Sequence, residues 1–283
     1  MPKSALSYCA EQVRRQDHER YVTALFAPAG RREDLFALYA FNLEIAKTAE
    51  LVSEDLLGRM RLPWWRECLA EAYAGRPRRH VVVEPLAAAV HRHGLGRAHF
   101  DRLIDAREDD LAAEPPADLA ALEDYAEGTS ASLVHLALQV LGVPADSGVA
   151  NEAGRRLGLA WALTGLARAV PFHARQKRLY LPADMVAQAG LDIEDLFELR
   201  GSEALSRVVA QLAARAGDHL TAARALRGAL PRTAFPAMLL GPLAERHLKV
   251  LYRTGFDPFD PRVLAQPSGS AWRLAWAVLK RRY

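Results

Sequence analysis

The chain has 283 residues, of which 51% are hydrophobic and 25% charged, enough to build a large core of ordinary globular composition. A net charge of +3, with basic residues scattered among acidic ones, gives no electrostatic footprint for nucleic acid. No run of eighteen apolar residues is available to span a bilayer, and residues 1–9 show no apolar core followed by a cleavage site. The two cysteines, Cys9 and Cys68, stand far apart without metal-ligand spacing, so buried thiols and a cytoplasmic setting are expected.

The elements read as helices throughout. From Glu33 to Leu57, apolar Leu35, Phe36, Leu38, Tyr39, Leu43, Ile45, Ala46, Ala49 and Val52 recur at helical spacing. A second helix is predicted to start near Pro63, carry Trp64, Trp65, Cys68, Leu69, Ala72 and Tyr73, and stop at Gly75 and Pro77. One of the two tryptophans must turn partly outward for the other to bury. Further helices are predicted over 83–93, 97–112, 119–141, 148–170, 183–189, 192–199, 202–228, 233–254 and 269–282. The breakers between them are short, no alternating strand is evident, and no fixed-period repeat appears. The expectation is one all-α domain over residues 1–283.

Four stretches carry candidate chemistry. Glu44, Lys47, Glu50 and Glu54 recur every three or four residues, which suits either a solvated salt-bridge ladder or a Lys47 that faces a cavity. Arg168, His173, Arg175, Lys177 and Arg178 form the densest basic cluster, and Pro171 is expected to end or kink the helix within it. That cluster could bind an anion, or its arginines could pair with acids such as Asp184 while His173 remains an ordinary loop histidine. The acidic run 105–110 places Asp105 and Asp109 on one helical face without an acidic counterpart, and a solvated face is the expectation there. The segment D-Y-A-E-G-T-S-A-S-L around Tyr125 suits either a ligand tunnel or close helix packing. At the end of the chain, Trp272, Trp276, Leu279 and Tyr283 share a stripe beside basic residues, fit for a packed terminal helix or an anionic membrane surface.

Two segments resemble the signatures of the squalene/phytoene synthase family of head-to-head prenyl transferases. Residues 37–41, A-L-Y-A-F, match the start of the first signature, and Arg168, Arg178, Tyr180, Leu181 and Pro182 match the second. The resemblance implies an isoprenoid-synthase-type helical bundle around an apolar cavity, with the two segments facing each other. It also implies aspartates that hold magnesium against a substrate diphosphate. At the aligned positions this chain has Ala46, Lys47 and Glu50 in the first segment, and Ala169 and His173 in the second. Ala162 and Gly165 replace the family's earlier glutamine and asparagine, and Lys177 replaces a glycine.

Magnesium takes hard oxygen ligands, and its role here would be to neutralise a leaving diphosphate. With the acids lost, no magnesium and no other cofactor is expected. Lys47, Glu50, Arg168, His173, Arg178 and Tyr180 become candidates for a metal-free head-group site instead, since arginine can grip phosphate without a metal. The segments H-E-R-Y-V-T-A-L-F-A-P at 18–28, F-N-L-E-I-A-K-T-A-E-L-V-S-E at 41–54 and R-L-P-W-W-R-E-C-L at 61–69 carry a further resemblance, from about residue 17 onward, to the family branch that includes the mitochondrial NADH dehydrogenase (complex I) assembly factor. That branch implies a non-catalytic role in respiratory-complex biogenesis. Its partners would be complex subunits or other assembly factors, with an isoprenoid or phospholipid ligand and peripheral membrane contact possible. The alternatives are an active prenyl transferase and a lipid-binding carrier.

Overall fold

In this computed structural model, residues 6–49, 55–112 and 114–265 are described. Among them every regular element is helical. In chain order these are α1 (Tyr8–Gln16), α2 (His18–Ala24), α3 (Ala29–Ala46), α4 (Asp55–Tyr73), α5 (Val83–His93), α6 (Arg97–Glu108), α7 (Leu119–Ala126) and α8 (Ser132–Val140). They are followed by α9 (Gly148–Arg175), α10 (Ala183–Ala189), α11 (Ile193–Phe197), α12 (Glu203–Ala225), α13 (Phe235–Met238), α14 (Leu240–Arg253) and α15 (Pro261–Leu264). Glu50 and the predicted terminal helix at 269–282 lie outside the described residues.

Local chemistry explains the starts. Ser7, Asp17, Asp118, Asp192, Ser202 and Asp260 each accept a hydrogen bond from a backbone N–H in the turn that follows, which satisfies donors the helix leaves unpaired. Two proline-based boundaries differ from expectation. α4 begins at Asp55 and contains Pro63, and α9 runs through Pro171 to Arg175. Each proline removes one intrahelical bond. Pro171 is itself buried, so packing of the surrounding turns outweighs that loss.

Two apolar clusters hold the bundle. One gathers α1, α3, α4, α5, α6 and α8 around Phe41, Trp65 and Phe100, whose rings meet edge to face with centroids 5.2 and 5.4 Å apart. Trp65 is fully buried, whereas Trp64 turns outward and carries the Arg78 guanidinium over its ring. The other cluster joins α7, α10, α11 and α12 to the C-terminal half of α9. Cys9 and Cys68 are both buried and unpaired, and burial pushes each thiol up to about 11.

The long α9 runs through both clusters and touches α7, α8, α11, α12 and α14. Its closest approach is to the turn Glu127–Ala131, a single π-helical turn joining α7 to α8. A methyl group added to Gly158 would lie 2.4 Å from the Ala131 Cα, so the two backbones meet with nothing between them. Gly158→Ala is therefore expected to cost stability at the upper end of about 1–3 kcal/mol, because a backbone cannot step aside as a side chain can. Urea unfolding measures this, and an unchanged midpoint would show that α9 can shift.

Candidate functional site

α3, the π turn and α9 line an open cavity of about 280 Å³, flanked by the segment after α9. Asn42 and Ala46 reach it from α3, and Thr129 and Ser130 from the π turn. Trp161, Ala162, Gly165, Leu166, Ala169, Phe172 and His173 come from successive turns of α9. The spacing of three and four residues along α9 is the reason: it turns one face of that helix to the cavity. Tyr125, Thr129 and Ser130 line the cavity, while a methyl group added to Gly128 would meet the Ala106 Cβ at 2.5 Å and one added to Gly158 would run into Ala131.

At one end of the cavity lies a buried carboxylate that the sequence reading assigned to a solvated helix face. Asp105 and Asp109 are indeed exposed, and Asp105 pairs with Arg66. Asp110, however, is only 2% exposed. α6 ends at Glu108 and gives way to a tighter 3₁₀ turn, Asp109–Leu111, that carries Asp110 inward. Its Oδ1 accepts from the Tyr125 hydroxyl at 2.8 Å and the Tyr180 hydroxyl at 2.7 Å. Its Oδ2 accepts from Arg107 Nη1 at 3.0 Å, and its carbonyl accepts from Arg178. Burial opposes the Arg107 charge, but the Tyr125 and Asp110 oxygens beside it more than offset this and hold its pKa up. Burial also raises both tyrosines, so they remain hydroxyl donors. The signal for Asp110 was present in the sequence. The buried stripe Phe100, Leu103 and Ile104, continued through half-buried Arg107 and three places on, lands on it.

The six candidate residues are not all gathered. His173 and Tyr180 share the cavity wall with ring centroids 4.4 Å apart. Arg178 lies behind Tyr180, committed to the Asp110 carbonyl, and lines a neighbouring cavity of about 250 Å³. Lys47 does not line the central cavity. It donates to Glu44 at 2.9 Å, and Glu44 also accepts from Arg61; Glu54, like Glu50, lies outside the described residues, so one rung of the expected ladder is seen. Arg168 is likewise off the lining; its guanidinium reaches the Val263 carbonyl at 3.5 Å, and Glu19 and Arg246 are near it. Glu50 falls outside the described residues. The geometry therefore separates Lys47, Arg168 and Arg178 instead of converging them: Lys47 and Arg178 are held by Glu44 and the Asp110 carbonyl, and Arg168 is half-buried beside the Val263 carbonyl with its Nε unpaired.

His173 is not a cation at neutral pH. Burial pushes its pKa down to about 4 from the ordinary 6.5, against the pull of nearby Asp110 and together with the push of Arg178. Its imidazole signals in NMR are expected to show no titration above about pH 5. In the window between these two values the unfolded chain binds the extra proton, so the contribution of His173 to stability is present above the unfolded value and is lost as pH falls toward the folded one. His173→Gln is expected to flatten that slope; a titration midpoint near the ordinary histidine value would mean the ring is solvated.

The donor set does not suit magnesium. Asp110 is the one carboxylate on the lining among the described residues, and both its oxygens already accept protein hydrogen bonds. No group of three or more His, Cys, Asp or Glu among those residues is placed to hold a metal ion.

An all-helical bundle with two signature segments facing each other across a cavity is the architecture of a prenyl-synthase-type protein. The chain belongs to the squalene/phytoene synthase family, whose model matches residues 13–276. It is 36% identical over 261 residues to NADH dehydrogenase (ubiquinone) complex I, assembly factor 6, of Rattus norvegicus, covering 92% of this chain and 78% of the relative. It is 28% identical to the presqualene diphosphate synthase of Rhodopseudomonas palustris over 262 residues, 92% of each chain. A crystal structure of a dehydrosqualene synthase has the same fold, with a TM-score of 0.83, 18% identity and coverage of 97% of this chain and 95% of that one.

Proposed function

We propose that this protein is an assembly factor for the respiratory NADH dehydrogenase that keeps the prenyl-synthase fold without head-to-head condensation. The observation that carries the reading is the cavity itself. Where the two signature segments face each other, the lining presents Ala46, Ala169 and a neutral His173 where the family resemblance implies acids, and the one buried carboxylate is held by two tyrosines and an arginine. The similarity to complex I assembly factor 6 supports the same reading, and it spans nine-tenths of the chain.

The partners in this reading are subunits of the complex or other assembly factors. No described helix is long and apolar enough to cross a membrane, and in this reading the protein meets the membrane peripherally. The experiment is deletion of the gene in the source cell, followed by native electrophoresis of membranes and NADH–quinone oxidoreductase activity. Loss of the assembled complex, restored by the wild-type gene, is the expected result. An unchanged amount of complex would overturn the assignment.

A further inference from the structure

We propose that the central cavity binds an amphiphile with an uncharged, hydroxyl-bearing head, and not a diphosphate. The inference rests on the reading of that cavity as metal-free. Its first support is a set of buried polar atoms with no partner among the described residues: Asn42 Oδ1, Ser130 Oγ and Arg107 Nε. All three residues line the cavity, and Asn42 and Ser130 are only 7% and 5% exposed. A buried polar group left unsatisfied is costly, so such atoms at a cavity wall mark where a ligand's polar group belongs.

Their chemistry selects the head group. The amide oxygen of Asn42 only accepts, the guanidinium Nε of Arg107 only donates, and the Ser130 hydroxyl does either. A ligand hydroxyl can serve all three kinds of partner. An ionised diphosphate oxygen only accepts, so it would repel the Asn42 oxygen and the nearby Asp110 carboxylate. The cationic charges on the lining are already balanced by carboxylates, although Arg107 Nε keeps a free N–H. Arg20 pairs with Asp17 at 2.7 Å and rests over the Trp161 ring, and Arg107 pairs with Asp110. His173 is neutral at physiological pH. Trp161, Leu166, Ala169 and Phe172 supply an apolar wall along which a hydrocarbon tail can lie, with Phe172 exposed.

The test is calorimetric titration of the purified full chain with farnesol and with farnesyl diphosphate, which share a tail and differ in the head, each with magnesium and with EDTA. The expected result is farnesol binding at least about tenfold tighter than the diphosphate, indifferent to the metal. Asn42→Leu is expected to weaken farnesol at least about fivefold, while leaving the thermal midpoint of the unliganded protein unchanged or raised, since it removes an unsatisfied buried atom. Ser130→Ala provides an independent variant with the same direction. Diphosphate binding that is tighter and requires magnesium would overturn both this proposal and the metal-free reading. Failure of both probes to bind would mean that the unpaired atoms hold water only, which overturns the proposal and leaves the metal-free reading standing. Undiminished farnesol binding in both variants would place Asn42 and Ser130 in the packing and not in a site.

Discussion

Purified protein supplied with farnesyl or geranylgeranyl diphosphate and magnesium is expected to release diphosphate no faster than buffer does. Ionising an allylic diphosphate requires cations to hold the leaving group as the carbon–oxygen bond breaks, and the metals that do this need facing carboxylates. Here Ala46 and Ala169 place methyl groups at two of those positions, and Lys47 is turned to Glu44. Asp110 cannot stand in, because detaching it would strip the acceptor from two tyrosine hydroxyls and the counter-charge from Arg107. Metal stabilisation is worth several kcal/mol, and each ~1.4 kcal/mol is a factor of ten in rate, so the deficit amounts to several powers of ten. Single Ala46→Asp or Ala169→Asp changes are not expected to restore turnover, since one carboxylate does not make a bridging cluster. Diphosphate release and head-to-head product at ordinary enzyme rates would refute the reading.

Asp110→Ala is expected to be the most destabilising single change at the site, by about 3–5 kcal/mol, the usual cost of leaving a buried charge without its partner. Arg107 would keep its charge, and the Tyr125 and Tyr180 hydroxyls would lose their shared acceptor. Asp110→Asn retains an acceptor oxygen and should cost less. The double change Arg107→Met with Asp110→Leu should recover part of the loss, because it removes both charges together and leaves only the hydroxyls unpaired. Urea unfolding of the three variants measures this directly. A loss below about 1 kcal/mol for Asp110→Ala would put the carboxylate in solvent exchange and not in a buried network.

Much of the architecture was legible in the residues. Apolar spacing in α3, α5, α6 and α12, with caps such as Asp118 and Ser202, follows from local rules that the bundle does not contradict. The pairing of a buried Trp65 with an outward Trp64 also follows from adjacent positions on one helix. The resemblance carried the facing of the two signature segments: Ala46, Ala169 and His173 share one lining, whereas Lys47 and Arg168 do not reach it. The prolines were the exception, because the penalty of Pro63 or Pro171 is local while the packing that overrides it is not.

By itself the sequence determined the helices, the family and the missing carboxylates, since these depend on residue type, period and position along the chain. Only the tertiary structure decided which charges meet. The family resemblance would gather Lys47, Arg168 and Arg178 at one head-group site, yet each lies against a different acceptor: Glu44, the Val263 carbonyl and the Asp110 carbonyl. Asp110 looks like one more surface acid and is the most connected side chain at the site. The reason is physical. A helix repeat gives the face a residue occupies and its i,i+3 neighbours, such as Arg107 for Asp110, but whether that face is buried and which distant groups, such as Tyr180, arrive to meet it depend on how the helices dock.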